Sequence, residues 1–432
     1  MSDVVTTAVP AVSTLAEHLI GSEIIRIGGE INARIAQGEK IHNLTIGDFS
    51  PAVFPLPAKL NALIREAYEQ GHSNYPPANG MADLRKAVSD YIQRGQGLNY
   101  GPDEVLIAGG ARPLIYATYK TIVDPGEKVV YPVPSWNNNH YTYLHTAEKA
   151  EVQATPENRF LPTADDLRPH LADAALLALC SPLNPTGTSF TRGQLEEICD
   201  LVLDENARRV GRKPLYVMYD QIYQELVLGD TAHVDPVSLR PEMRPFVIYI
   251  DGISKSLAAT GVRVGWAFGP ALVMKKMAAI LGHVGAWAPK PEQLATARFL
   301  NDNEAYSAAV QEHRRMVSER VNGYYDGFMQ LKSEGFPVDA IPAQGAMYLT
   351  VRIGIVGRTT ADGKVLASAS DVTYYLIEKA GVGLVPFLAF GCGADNDWFR
   401  VSVGTTKVED IPAVIEGLRR AMEGMREARG TR

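Results

Sequence analysis

Lys255 lies in the stretch Tyr249–Trp266, Y-I-D-G-I-S-K-S-L-A-A-T-G-V-R-V-G-W, where its neighbours are small or apolar and no acid is nearer in sequence than Asp251. A lysine amine in such surroundings is poorly solvated, which lowers its pKa and favours the neutral form that attacks a carbonyl. Asp220 closes another apolar run, L-Y-V-M-Y, with Tyr223 shortly after it. Ligands of open α/β sheets bind at the carboxyl ends of strands, so an acid there is well placed to meet one. Gly110, Ala111 and Arg112 stand between a short strand pattern and a helical one. Such a junction gathers unpaired backbone N–H groups, a ready site for a phosphate. Each feature also has an ordinary alternative: an exposed lysine, an Asp that caps a helix, a Gly-Gly turn that cradles nothing.

These residues require strands that end together. Pro245–Ile250 is an apolar, β-branched and aromatic run bounded by Pro and Asp-Gly, the pattern of a buried strand ending in a turn, so Lys255 falls just past a strand end. Val105–Ile107, Lys128–Tyr131, Leu176–Cys180 and Leu215–Tyr219 read as further strands, and G-V-R-V-G-W reads as one that carries Arg263 as a single inward cation. The spacing predicts helices over Ser22–Gln37 (with Ile24, Ile27, Ile31 and Ile35 in helical register), Leu56–Gln70, Leu114–Ile122, from Thr191, Ala271–Ile280, and Gln293 to about Leu331. That last helix is expected to bridge to a smaller C-terminal domain. There Gly345–Tyr348 opens a strand, Val372–Lys379 is helical, and Trp398–Val403 alternates as a strand with Arg400 on one face. Residues 1–13 are expected to form a loose arm. The expected division is an arm and helix over 1–55, a large domain over 56–300 and a small one over 301–432.

The composition, 46% hydrophobic and 21% charged over 432 residues, is that of a soluble globular protein with room for more than one domain. A net charge of −7 without basic tracts argues against nucleic acid as a partner. No run reaches the ~18 apolar residues of a membrane span. The 3 cysteines, Cys180, Cys199 and Cys392, make neither a disulfide framework nor a metal motif; reduced thiols in a cytoplasmic protein, and no bound metal, are expected.

The segment Gly252–Gly265, a small residue followed by Ser254-Lys255, a spacer and Gly-x-Arg263-x-Gly, resembles the pyridoxal-phosphate attachment sequence of class I aminotransferases. The resemblance runs from about residue 20 to the end of the chain. It takes in L-T-I-G-D-F-S-P with Gly47, the Tyr75, Gly80 and Leu84-Arg85 pattern, Gly110-Ala111, Trp136, S-P-L-N-P-T-G with Asn184, Asp220 with Tyr223, and Arg400. It implies fold type I: an α/β large domain with a mostly parallel seven-stranded sheet between helices, and a smaller α+β domain.

The resemblance implies roles residue by residue. Lys255 would hold pyridoxal 5'-phosphate as a Schiff base, and Ser254, Arg263, Gly110, Ala111 and Arg112 would bind its phosphate. Trp136 would stack on the ring, Asp220 would pair with the ring nitrogen, and Asn184 and Tyr223 would bond the phenolic oxygen. Arg400 would grip the substrate α-carboxylate, with Gly47 offering a backbone N–H and Arg112 reading a distal carboxylate. Tyr75 would reach the partner's phosphate in a homodimer.

Gly252, Asn139 and Phe387 depart from the family pattern. The first replaces a second phosphate-binding serine, and the other two are expected on the substrate side, where they put substrate choice in doubt. The implied reaction is ping-pong transfer of an amino group from an L-amino acid, with aspartate or glutamate expected, to a 2-oxo acid such as 2-oxoglutarate. A lyase of the same fold, or an aminotransferase for aromatic or other neutral amino acids, is the alternative. A non-catalytic sensor joined to a DNA-binding domain is disfavoured, because the segment before residue 20 is too short for a winged helix.

Overall fold

The computed structural model describes residues 12–423; the first eleven residues of the expected arm lie outside them. Seven runs form one sheet: β1 (Val105–Ala108), β2 (Lys128–Val133), β3 (Glu148–Gln153), β4 (Ala174–Cys180), β5 (Tyr216–Asp220), β6 (Val247–Gly252) and β7 (Gly265–Phe268). Their order is β1-β7-β6-β5-β4-β2-β3. All run parallel except β7, which is antiparallel to both its neighbours. A parallel sheet is covered by helices on both faces, which is why its inner strands are apolar almost without interruption. Leu177, Val217 and Tyr249 face one helical layer, with Leu84, Val88 and Leu195. Leu176, Met218 and Ile248 face the other, with Leu114, Ile115 and Met277.

The register sets the site. Cys180 lies opposite Asp220, and Asp220 opposite Ile250, so three parallel strands end side by side. The turns that follow β4, β5 and β6 carry Asn184, Tyr223 and Lys255.

A second, wholly antiparallel sheet joins β8 (Val338–Ile341), β9 (Tyr348–Ile353), β10 (Val385–Pro386) and β11 (Trp398–Ser402) in the order β10-β11-β9-β8. The N-terminal segment is stitched to it. Leu44 N–H donates to the Gly383 carbonyl, Ser402 N–H to the Leu44 carbonyl and Ser50 N–H to the Gly404 carbonyl. Leu44, Phe49 and Phe54 accordingly share a core with Val317, Val351 and Val401. The helix Glu23–Ala36 sets Ile27 and Ile31 inward and leaves Ile35 exposed.

Two expectations fail for local reasons. The helix over Gln293–Leu331 is two helices, Lys290–Asn301 and Asn303–Ser333, because Asp302 leaves helical geometry and its carboxylate accepts the Ala305 N–H as an N-cap. Arg263 is not on a strand: it sits at φ 62 after the turn Thr260–Val262, and β7 begins only at Gly265. Among the described residues no helix is long and apolar enough to cross a membrane.

The turn after β4 is clamped against the small sheet. The Gly187 carbonyl accepts the N–H groups of Gln344 (2.7 Å) and Gly345 (2.9 Å), and Thr350 Oγ1 donates to the Thr186 carbonyl at 2.9 Å. Gly187 has φ +72, and a Cβ there would collide with the Tyr348 carbonyl. Gly187→Ala is therefore expected to destabilise the protein by about 2 kcal/mol or more, through the left-handed backbone and the clash together. Urea unfolding monitored by circular dichroism reads this as a lower midpoint.

Candidate active site

The strand ends, the Leu44–Pro51 segment and the small sheet enclose a cavity of about 660 Å³. Its lining includes Gly47, Ala111, Arg112, Trp136, Asn184, Asp220, Tyr223, Ser254, Lys255, Arg263 and Arg400. These residues come from points spread over most of the chain. Two of the expected set lie elsewhere. Gly110 stands behind the lining, and Tyr75 is 81% exposed on a loop where its ring meets Trp287 edge-on at 5.2 Å.

Lys255 follows β6 in the short helical turn Ile253–Ser256, and its Nζ donates to the Gly47 carbonyl at 2.7 Å. Burial pushes the amine down to about 8. The nearby Asp48 opposes that shift, while Arg400, Arg112 and Arg263 reinforce it. Asp220, at the end of β5, is pushed up to about 6 by burial, with the Ile222 N–H and the charge of Lys255 pulling the other way. The Tyr223 hydroxyl shares a 2.7 Å hydrogen bond with Tyr348.

Arg400 is fully buried on β11, against the ordinary fate of an arginine on a strand. One guanidinium nitrogen donates to Asn184 Oδ1 at 3.0 Å and another to the Thr45 carbonyl at 2.7 Å. Its Nε is buried without a partner. Leaving such a donor unpaired is costly unless a ligand completes the site. Tyr348 and Phe390 flank the guanidinium at 4.6 Å and 5.0 Å. Across the cavity Arg112 lies over the Trp136 ring at 4.7 Å.

The helix Ala111–Ile122 starts beside these groups with no side-chain cap, and Pro113 in its first turn has no N–H to offer. The N–H groups of Ala111 and Arg112 are thus the free donors of that terminus, where the helix dipole favours an anion. Gly110 turns the chain at φ +95, and any Cβ there would strike the Arg263 guanidinium. That guanidinium is held by the carbonyls of Thr260 (2.6 Å) and Gly109 (2.5 Å). With Ser254 at the rim, this is a cradle shaped for a phosphate, and the expected pyridoxal phosphate fits it.

The cavity is electropositive. Arg112, Lys255, Arg263 and Arg400 line it against only Asp48 and Asp220, and among the described residues no carboxylate pairs with any of the three arginines.

Sequence reasoning missed Tyr348 and Asp48, which reach the cavity through long-range folding, and Ile24 and Ile25, which the N-terminal helix brings to its edge. The three-to-four-residue period pointed to Ile24 but gave no sign that it faced a ligand. Two departures do not line the cavity. Phe387 is wholly buried against Phe160 at 5.0 Å, and Asn139 bonds His140 instead of lining the cavity. Their neighbours Asn137 and Asn138 do line it.

Residues 39–418 match the family described as aminotransferase class I and II. The probable aspartate/prephenate aminotransferase of Rhizobium leguminosarum bv. phaseoli is 28% identical over 375 residues, 86% of this chain and 89% of that protein. The aspartate aminotransferase of Geobacillus stearothermophilus is 29% identical over 370 residues, 84% of this chain and 87% of its own. The crystal structure of the aspartate aminotransferase from Rhizobium meliloti superposes with a TM-score of 0.87 at 24% identity, covering 96% of this chain and 99% of that one. With a lysine, an acid and a phosphate cradle converging at the carboxyl end of this sheet, and a family match over most of its length, the chain belongs to the class I and II aminotransferases, enzymes that depend on pyridoxal phosphate.

Proposed function

We propose that this aminotransferase takes a dicarboxylic amino acid, aspartate or glutamate, as amino donor and a 2-oxo acid such as 2-oxoglutarate as acceptor. The observation that carries the reading is the excess of cations in the cavity, four against two acids. A phosphate in the cradle would engage Arg263. The two guanidinium groups that remain, Arg400 and Arg112, suit two carboxylates. The relatives named above as aspartate and aspartate/prephenate aminotransferases support the choice.

Bound pyridoxal phosphate supplies an aldehyde that captures amines and a ring that accepts the electrons of a carbanion. Lys255 would hold it, and Lys255 Nζ, beside the Gly47 carbonyl, is the base that would move the proton from the donor Cα. Asp220 would pair with the ring nitrogen and favour its protonated form. Asn184 and Tyr223 would hydrogen-bond the phenolic oxygen, Trp136 would offer an aromatic face, and Ser254, Arg263 and the backbone at Gly110, Ala111 and Arg112 would hold the phosphate, which leaves the Arg112 guanidinium for substrate. Arg400 grips the α-carboxylate by its two-pronged edge, with the Gly47 backbone beside it.

The division into 1–55, 56–300 and 301–432 is part of the same proposal. It is supported by the core that Leu44, Phe49 and Phe54 share with the C-terminal residues, and by the helix Asn303–Ser333, whose Tyr306 and Val317 belong to different cores. We also propose a cytoplasmic homodimer in which Tyr75 reaches the cofactor phosphate of a second copy; its exposure away from its own cavity supports that assignment. A second reading, a neutral or aromatic donor, draws on the apolar edge made by Ile24, Ile25 and Ile46.

Steady-state kinetics separates the two readings. Arg112→Ala is expected to raise KM for aspartate at least about tenfold, the loss of one charge-assisted hydrogen-bonded pair, while changing KM for alanine little. Equal effects on both donors would discard the dicarboxylate reading. The depressed lysine predicts a pH dependence. The neutral amine is the nucleophile, so the rate at which cofactor-free protein takes up pyridoxal phosphate covalently should rise with pH about a midpoint near 8. Stopped-flow absorbance measures it, and a midpoint near the ordinary 10.5 would mean a solvated lysine.

A further inference from the structure

Behind the cavity, the turn that carries Tyr223 and the turn that carries Lys255 are joined by a buried polar network used by none of the roles above. Asp251 is the last residue but one of β6, 2% exposed, and its side chain points away from the cavity lining. Its Oδ1 accepts the Gly252 N–H at 2.7 Å, and its Oδ2 accepts Gln224 Nε2 at 2.5 Å. Gln224 directly follows Tyr223. The same amide donates to the Tyr91 hydroxyl at 3.2 Å, which donates to Glu225 Oε1 at 2.7 Å. The long helix closes the network from behind: the Tyr306 hydroxyl donates to Tyr91 at 3.3 Å, and Arg314 Nε donates to the Glu225 carbonyl at 3.0 Å.

This is an unusual use of a carboxyl group. A buried Asp without a cation is costly as an anion, and burial together with the charges of Glu225 and Asp220 pushes the Asp251 carboxyl well up. Its two acceptor contacts, to the Gly252 N–H and to Gln224 Nε2, join two backbone segments. The segments it joins are the two whose side chains must hold their mutual geometry, since Tyr223 and Lys255 reach the cavity from adjacent strand ends.

We propose that Asp251 and Gln224 are positioning residues, whose hydrogen bond, backed by Tyr91 and Glu225, fixes the Tyr223 turn against the Lys255 turn. The proposal rests on the assignment of Lys255 and Tyr223 given above. Misplacement of reacting groups by about an ångström costs on the order of a hundredfold in rate. Gln224→Ala and Asp251→Ala are therefore expected to lower kcat roughly ten- to a hundredfold with KM for the amino donor changed less than about threefold. The double variant should be no worse than either single one, as for two halves of one contact.

Asp251→Asn, which a rotated Gln224 amide can still meet, is expected to stay within about threefold of the parent kcat. The experiment is steady-state kinetics on the holoenzymes, with the folded fraction at assay temperature measured by circular dichroism and Lys255→Ala run alongside. Three results would overturn the positioning role: parent kcat in Gln224→Ala, a loss that merely equals the unfolded fraction or falls wholly in KM, or an Asp251→Asn variant as impaired as Asp251→Ala. Full activity in Lys255→Ala would overturn instead the reading on which the proposal rests.

Discussion

Removing the Lys255 amine from water is the constraint around which the rest is arranged. A lysine retains its proton wherever water or a carboxylate can reach it, and a protonated amine is no nucleophile. Among the described residues the amine's hydrogen-bond partner is the Gly47 carbonyl, and three arginines line the same cavity. Burial and like charge act in the same direction, against the carboxylate of Asp48. The same crowding of cations favours anions in the cavity, a phosphate at the uncapped helix start and carboxylates at the guanidinium groups.

Holding that arrangement takes both sheets. The large sheet supplies three turns at neighbouring strand ends, because β4, β5 and β6 are parallel and in register. The small sheet supplies Arg400 and Tyr348, and it locates Gly47 by bonding the segment Leu44–Ser50 to Gly383, Ser402 and Gly404. The hydrogen bond from Lys255 to Gly47 thus spans the two halves, as does the one from Arg400 to Asn184. A shift of either sheet would alter the lysine, the arginine and the asparagine together. The site is accordingly as rigid as the packing between the halves.

What the amino-acid sequence made legible was whatever is decided locally. The apolar runs that end in Asp220 and Gly252 are strands because nothing polar interrupts them, and the residues just past their ends face the cavity as the geometry of a parallel sheet dictates. Residues that depend on distant partners were not legible. Tyr348 reads only as the start of an apolar strand, and its place beside Tyr223 depends on a partner 125 positions away in the chain. Arg263 sits in an alternating pattern that suggests a strand, yet it takes a left-handed backbone, and its guanidinium bonds the carbonyls of Gly109 and Thr260. Asp302 breaks a helical period that the apolar residues alone would continue, since capping is a property of one side chain and not of the pattern. Phe387 departs from the family pattern next to the expected substrate side, and its ring packs against Phe160, a contact that the pattern does not reveal.

The most direct test of the account is the visible absorption spectrum of the protein with pyridoxal phosphate, before and after aspartate is added without any oxo acid, next to that of Lys255→Ala. The account predicts that the wild-type protein shows the band of covalently held cofactor, that aspartate removes it, and that oxaloacetate appears in proportion to the sites converted. The alanine variant should show neither the lysine-dependent band nor turnover. A wild-type protein that forms no such band, or a variant that converts aspartate at the wild-type rate, would contradict the central claim that the buried Lys255 amine performs the chemistry.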